Sequence, residues 1–388
     1  MTLSFIFQAC GGDEKHEKSI RFAVMSPEGC SQKQRNQFIY DVLKDSYLWA
    51  DKVGDMNISL DSTDDASFLD NFLYKEKDRF SFIISQTVYQ EHFVSGTAKD
   101  FGFRSTNIKN DDNSTSTVIK YVFKGSPADK AGLSRSDKII SKTLDDIFTI
   151  ENSAGVKREV LVQEKPYDVI NTTHQTILEQ NGKKIGYFSF KSFVGPRLVL
   201  NLNQAFGNFK NNHVSELIID LRYNGGGLLS VAGYLGSLIG GEQVKGHVLQ
   251  YNRYNARYKK YDRSTNFTAI QSQSLGLSRV IILTGEGTAS ASESLINGLA
   301  ARENNIEVVT IGAQTYGKPF GMHTMSYCDK VLVPIHFRDE NSDGVGGFVD
   351  GMKPTCFVED TIKYDFTNKE ESLLKEALYY IDHGTCSR

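Results

Sequence analysis

The chain has 388 residues, with 44 Lys or Arg against 47 Asp or Glu and a formal charge of −3. A chain this long outgrows one ordinary core, so two or three domains are expected, and the near balance of charge gives no reason to expect a nucleic-acid partner or a strongly charged substrate. Its 39% hydrophobic and 23% charged fractions are those of a globular protein, and no apolar run reaches the roughly 18 residues of a membrane helix.

The first ten residues, MTLSFIFQAC, are apolar and end in a small residue followed by Cys10, and a polar, flexible stretch comes next. This is similar to the end of a bacterial lipoprotein signal, with Cys10 as the lipidated residue, and it places the chain in the cell envelope with residues 1–27 as a signal remnant and tail. The remaining cysteines, Cys30, Cys328, Cys356 and Cys386, permit two disulfides in three pairings. Buried free thiols serve equally, and no bridge is predicted. The cysteine spacings match no zinc pattern, so no metal is expected.

Residues 28–99 read as a small helical domain. A helix over 32–50 carries Phe38, Ile39, Val42, Leu43 and Tyr47 on one side and ends near Trp49. A second helix, 66–74, follows the turn residues DSTDD, and KDRFSFII at 77–84 then reads as a strand.

Residues 100–178 carry FGFR at 101–104 and VFKGSPADKAGLSRSDKIISKTLDDI at 122–147. These resemble the carboxylate-binding loop and the strand, helix and strand of a bacterial PDZ domain. The resemblance implies that Phe101, Gly102 and Phe103 hold the C-terminus of a peptide, which pairs with an exposed strand edge. Ser136 departs from the pattern, standing where a glycine is usual before Asp137, and KNDDNSTST at 109–117 is an inserted polar hairpin.

The remainder, 179–388, alternates short apolar strands with helices and is therefore α/β. KKIGYFSFKSF at 183–193 is a strand, 198–209 a helix, and LIIDLRYNGGG at 217–227 a strand running into a glycine-rich turn. Asp220 and Arg222 are expected to hold that turn by pairing with each other or with backbone. The β-branched run 280–283 leads through Gly285 and Gly287 to a helix over 290–301, which puts Ser290 where strand hands over to helix. A second β-branched run, 308–311, leads to TYGKP at 315–319 and so to Lys318. The acidic turn 339–350 has oxygen-bearing residues in a calcium-loop-like order but lacks flanking helices, and reads as a solvated turn. A last helix covers 370–381.

A serine hydroxyl needs a base before it is a useful nucleophile, and the amides of a helix start would stabilise an oxyanion formed beside it. Lys318 can be that base if burial depresses its pKa from about 10.4. His323 and His336 raise a Ser-His alternative but sit in no motif and read as structural.

TASASE at 288–293, TYGKP at 315–319 and DLRYNGGG at 220–227 together resemble the motifs of the carboxyl-terminal processing peptidases, also called tail-specific proteases. The resemblance covers residues 101–352. It implies a crotonase-like (ClpP/crotonase) α/β catalytic domain with an inserted PDZ domain, Ser290 as nucleophile, Lys318 as general base, and Gly226 with the amide of Ala291 as oxyanion hole. Its substrates would be unstructured protein C-termini, cut without a cofactor. The chain departs from the family in a slightly longer serine-to-lysine spacing and in Met322, which stands where many members carry a glutamine that orients the lysine. That departure leaves a second reading, a peptide-binding protein that keeps the protease scaffold without its chemistry.

Overall fold

The computed structural model describes residues 20–387 except 62, 111, 170–171, 195–196 and 269–270, so the lipidation expected at Cys10 lies outside the described residues. The centre is a six-stranded sheet in the order Cys356–Phe357, Glu307–Gly312, Arg279–Thr284, Glu216–Asp220, Lys183–Phe190, Thr172–Gln180, parallel throughout except for the last pair. Its strands are apolar on both faces because both are covered. Val280 and Ile282 face a core shared with the helices Leu198–Asn211, Leu229–Gly240 and Ala291–Leu299, whereas Ile281 and Leu283 face the helix Ser372–His383. The alternation is the pleat of a strand buried on both sides, and this part of the chain is mixed α/β.

The N-terminal helices Gln32–Asp45 and Asp65–Phe72 bury Phe38, Ile39, Val42 and Phe68 against Phe320, Leu332 and Ile335. Caps fix both starts: Ser31 forms a capping box with Gln34, and Asp64 accepts from Ala66 and Ser67. The strand Phe82–Ser85 pairs antiparallel with Lys330–Val333, so this region is stitched by backbone to a segment some 250 residues later. A four-stranded sheet, Arg263–Asn266, Val248–Tyr254, Ile335–Glu340 and Phe320–Met322, lies alongside.

A five-stranded antiparallel sheet, running in order from Phe103–Lys109 to Lys157–Leu161, forms a separate module around Ile119, Leu133, Phe148 and Ile150. The chain enters it by Thr97–Asp100 and leaves by Lys165–Asp168, which pair with each other as a two-stranded neck. Ser136 adopts φ 74°, the left-handed backbone that glycine takes at no cost, so the substituted position keeps the conformation at some strain.

Two disulfides overturn the prediction of no bridge. Cys30 bonds Cys328 and Cys356 bonds Cys386. The first ties the start of the helical region to the loop before Lys330–Val333, and the second ties the end of the last helix to an edge strand. Neither pairing is local enough for spacing to reveal it. Among the described residues no helix is long and apolar enough to cross a membrane.

Candidate active site

Ser290 precedes the helix Ala291–Leu299 with φ 56° and ψ −117°, outside the regions ordinarily open to an L-residue. The turn is held from both sides: Thr288 Oγ1 donates to the Leu221 carbonyl at 2.8 Å and Ala289 N–H to the Asn224 carbonyl at 3.1 Å. Gly226, at φ 97°, lies opposite. A Cβ there would sit 2.8 Å from Ser290 Cβ and 2.9 Å from Ala291 N, so only glycine allows this approach. The Ala291 amide is the first of its helix and has no partner within it.

Glu293, wholly buried one turn into that helix, accepts four hydrogen bonds. Its Oε2 takes the Ser290 N–H at 2.8 Å and the Lys318 N–H at 2.9 Å; its Oε1 takes Thr315 Oγ1 at 2.6 Å and the Gly317 N–H at 2.7 Å. The backbone nitrogens of Ser290 and Lys318, both within reach of one oxygen, are therefore less than about 6 Å apart. Sequence reasoning found the motif containing Glu293 but gave that residue no role. A carboxylate three residues after a helix start reads as an ordinary cap until the distant donors are known.

The Lys318 amine is largely buried. Loss of solvent pushes its pKa below the usual lysine range, partly opposed by the carboxylates of Asp78 and Glu293. Nζ lies 3.3 Å from Met322 Sδ and 5.8 Å from the centre of the Phe80 ring, and it does not hydrogen-bond the Ser290 hydroxyl. Met322, which stands where the resemblance implies a glutamine, thus still touches the amine, through a weak acceptor.

The other expected residues are placed as follows. Gly226 N–H donates to Asn224 Oδ1 at 2.9 Å and is not free to serve an oxyanion in this arrangement. In the five-stranded module, Gly102 N–H is likewise engaged by Asp100 Oδ1, and the Phe101 and Phe103 rings pack edge-on against Phe148. His336 is enclosed between Ser46 Oγ and the His323 N–H, while His323 meets the Tyr254 hydroxyl; neither histidine bonds Ser290. In the acidic turn, Asn341 and Asp343 bond within the protein: Asn341 reaches Asn297 and Asp343 pairs with Arg302. Among the described residues, the one grouping of three potential metal ligands is Cys356, Glu376 and Cys386, whose two sulfurs are already joined.

Beneath the glycine turn is a buried charge cluster. Arg222 pairs with Asp220 at 3.0 Å and with Glu371 at 2.6 Å, and Glu371 caps the last helix. Arg135, from the five-stranded module, reaches Asp360 at 2.5 Å and the Tyr223 hydroxyl at 2.8 Å. Lys191 is enclosed by the rings of Tyr121, Tyr223 and Phe366, and burial drives its pKa down to about 7.

A cleft of about 420 Å³ opens beside Lys318, lined also by Arg79, Phe80, Gly225, Glu286 and Tyr316.

Comparison with known proteins agrees on one family. The model described as Peptidase family S41 matches residues 184–340, and that of the Peptidase S41 N-terminal domain matches 34–82. The chain is 24% identical over 263 residues to the carboxy-terminal processing protease CtpA of Bacillus subtilis, covering 62% of this chain and 53% of that one. It is 22% identical over 272 residues to a chloroplastic carboxyl-terminal-processing peptidase of Arabidopsis thaliana, with 62% and 50% covered. The chain thus spans about half the length of the curated relatives it matches. In fold it is similar to a crystal structure of a Bacteroides fragilis protein described as an S41 protease, with TM-score 0.77, 24% identity, and 90% and 97% of the two chains covered. The photosystem II D1 C-terminal processing protease shares the fold at TM-score 0.53 and 16% identity, with 90% and 99% covered.

Proposed function

Since the chain belongs to peptidase family S41, we propose that it is a serine endopeptidase with Ser290 as nucleophile and Lys318 as general base, acting on the C-terminal regions of proteins. The reading is carried by one observation: a single buried carboxylate, Glu293, fastens the backbone of both residues. Burial favours the neutral amine that a general base requires.

In the reaction, the Lys318 amine leaves Met322 by rotation of its flexible stem and takes the Ser290 Oγ proton as the oxygen attacks the scissile carbonyl. The oxyanion forms at the start of the helix, where the Ala291 N–H and the positive end of the dipole meet it. Gly226 supplies the close approach, and its N–H joins as a second donor once released from Asn224. Collapse expels the amine half of the substrate with the proton from Lys318, leaving an acyl-enzyme. Water then attacks the ester, with Lys318 again as base.

The catalytic part takes the crotonase-like arrangement and the five-stranded module acts as an inserted PDZ domain. Its first strand, Phe103–Lys109, is an edge strand and so offers unpaired backbone to an extended peptide. Two disulfides suit an oxidising compartment, in keeping with an exported, lipid-anchored protein.

One observation favours the second reading, a peptide-binding protein without chemistry: the amine rests on Met322 rather than on Ser290. Incubating the protein with an unfolded substrate separates the two. The peptidase reading expects cleavage by the wild type and none by Ser290→Ala or Lys318→Ala, with circular dichroism unchanged. Cleavage that persists in Ser290→Ala defeats it.

A further inference from the structure

The cleft beside Lys318 contains a cation that the proposed chemistry does not use. Arg79 donates from Nη2 to the carbonyls of Tyr316 at 2.8 Å and Val349 at 3.3 Å, and its guanidinium carbon lies 5.0 Å from the centres of both the Phe80 and Tyr316 rings. The two rings meet edge to face, and the guanidinium sits in the angle between them. The backbone that carries it is also fixed. Asp78, buried, accepts from the amides of Phe80 and Ser81 and from the hydroxyls of Ser81 and Tyr47.

Nη2 is engaged by the carbonyls, and among the described residues no carboxylate lies within ion-pair distance of Arg79, although Glu286 lines the same cleft. Nε and Nη1 are the remaining donor positions, and each can give a carboxylate oxygen a charge-assisted hydrogen bond. A guanidinium held in place by carbonyls and rings costs little entropy when it binds, unlike a free surface arginine.

We propose that Arg79 forms an anion-recognising subsite that takes a carboxylate of the bound peptide, either an Asp or Glu side chain or the terminal carboxylate itself. Its separation from the resting Lys318 amine is bounded by the shared ring. Arg79 and the Lys318 amine lie 5.0 and 5.8 Å from the centre of Phe80, so they are at most about 11 Å apart. An extended peptide covers that span in about three residues. The carboxylate is therefore placed a few residues from the bond that is cut. Glu286, elsewhere in the cleft, disfavours a second acid and so adds direction to the choice.

This inference rests on the peptidase reading, and the test keeps the two apart. Peptides with one Glu or one Gln at each of three positions on either side of the cleaved bond are compared. Matching peptides end one to three residues beyond it in a free acid or an amide. Cleavage is measured with the wild type and Arg79→Gln, and affinity with Ser290→Ala alone and combined with Arg79→Gln. The subsite predicts that one acid position raises kcat/KM, and tightens Kd, by roughly five- to tenfold over its neutral counterpart, and that Arg79→Gln returns the ratio to about one. A preference for Glu peptides assigns the source to a side chain; a preference confined to free-acid peptides assigns it to the terminus. Equal handling of acid and neutral peptides, or a preference that survives Arg79→Gln, overturns the subsite. Absence of cleavage alongside an Arg79-dependent preference in binding defeats the peptidase reading and leaves the subsite standing.

Discussion

Two buried carboxylates, Glu293 beside Ser290 and Glu371 at the start of the last helix, are stabilised in different ways. Glu293 is surrounded by neutral donors, three backbone amides and one hydroxyl, that come from the serine turn and the lysine loop. Glu371 is matched by the Arg222 guanidinium, within a network that also takes in Asp220, Asp360 and Arg135. Neutral donors bring no counter-charge to the lysine loop, and they set the positions of the Ser290 and Lys318 backbones. Counter-charges set the position of whole elements instead: the last helix, the glycine turn and the five-stranded module meet at Arg222 and Arg135. On the proposed function, the first arrangement positions the reacting pair; the second holds the architecture around it.

The largest expected effect is on the second arrangement. Arg222→Ala leaves Asp220 and Glu371 buried without their partner, and denaturant unfolding is expected to show a loss of about 3–5 kcal/mol. A loss below about 1 kcal/mol would mean that the cluster does not hold the fold. Glu293→Gln sharpens the contrast: it replaces one acceptor oxygen by a donor facing amides, and kcat is expected to fall by about a hundredfold through misplacement of Ser290 and Lys318, with a smaller loss of stability, about 1–3 kcal/mol. If kcat survives, the bracing role is wrong.

The two regions also differ in the sign of their pH dependence. Lys191, at about 7, is neutral in the folded protein above that pH, whereas the unfolded chain keeps its proton to about 10.4. Its contribution to stability is therefore present at high pH and is lost as pH falls from about 10 to about 7. Asp339, behind the serine helix and bonded to Ser294, is raised to about 7 by burial. Its contribution is present below about pH 4 and lost as pH rises through 7. Lys191→Met should flatten the alkaline slope and Asp339→Asn the acid one, each by up to about 1.4 kcal/mol per pH unit. Unfolding curves between pH 4 and 10 check both, and unchanged slopes in either variant refute its assignment. The smallest effect is expected at Met322, where Leu keeps the volume but removes the sulfur acceptor; the pH at half-maximal activity should move while kcat changes only severalfold.

Much of the fold was legible because its strands are continuous apolar runs. The segments 280–283, 308–311 and 217–221 and the helix at 291 declared themselves by β-branched composition and by glycines at their ends. Ser290 was legible as a strand-to-helix residue, but its strained backbone was not, since that depends on Gly226 approaching from a segment 64 residues earlier. The role of Glu293 was hidden for the same reason: Thr315, Gly317 and Lys318 reach it from another loop. The disulfides escaped because Cys30 and Cys328 are 298 residues apart, and a thiol carries no signal of its partner. Arg79 read as one charge in a strand: Phe80 stands next to it, but Tyr316 and the carbonyls that fix it come from distant loops.

The central claim, that a buried neutral amine activates Ser290, is tested most directly by the pH dependence of Ser290 modification by a fluorophosphonate in the wild type and Lys318→Ala. The account predicts labelling that rises with pH, with a midpoint below the ordinary lysine range, and that collapses in Lys318→Ala. Equal labelling of the two proteins at every pH would contradict it.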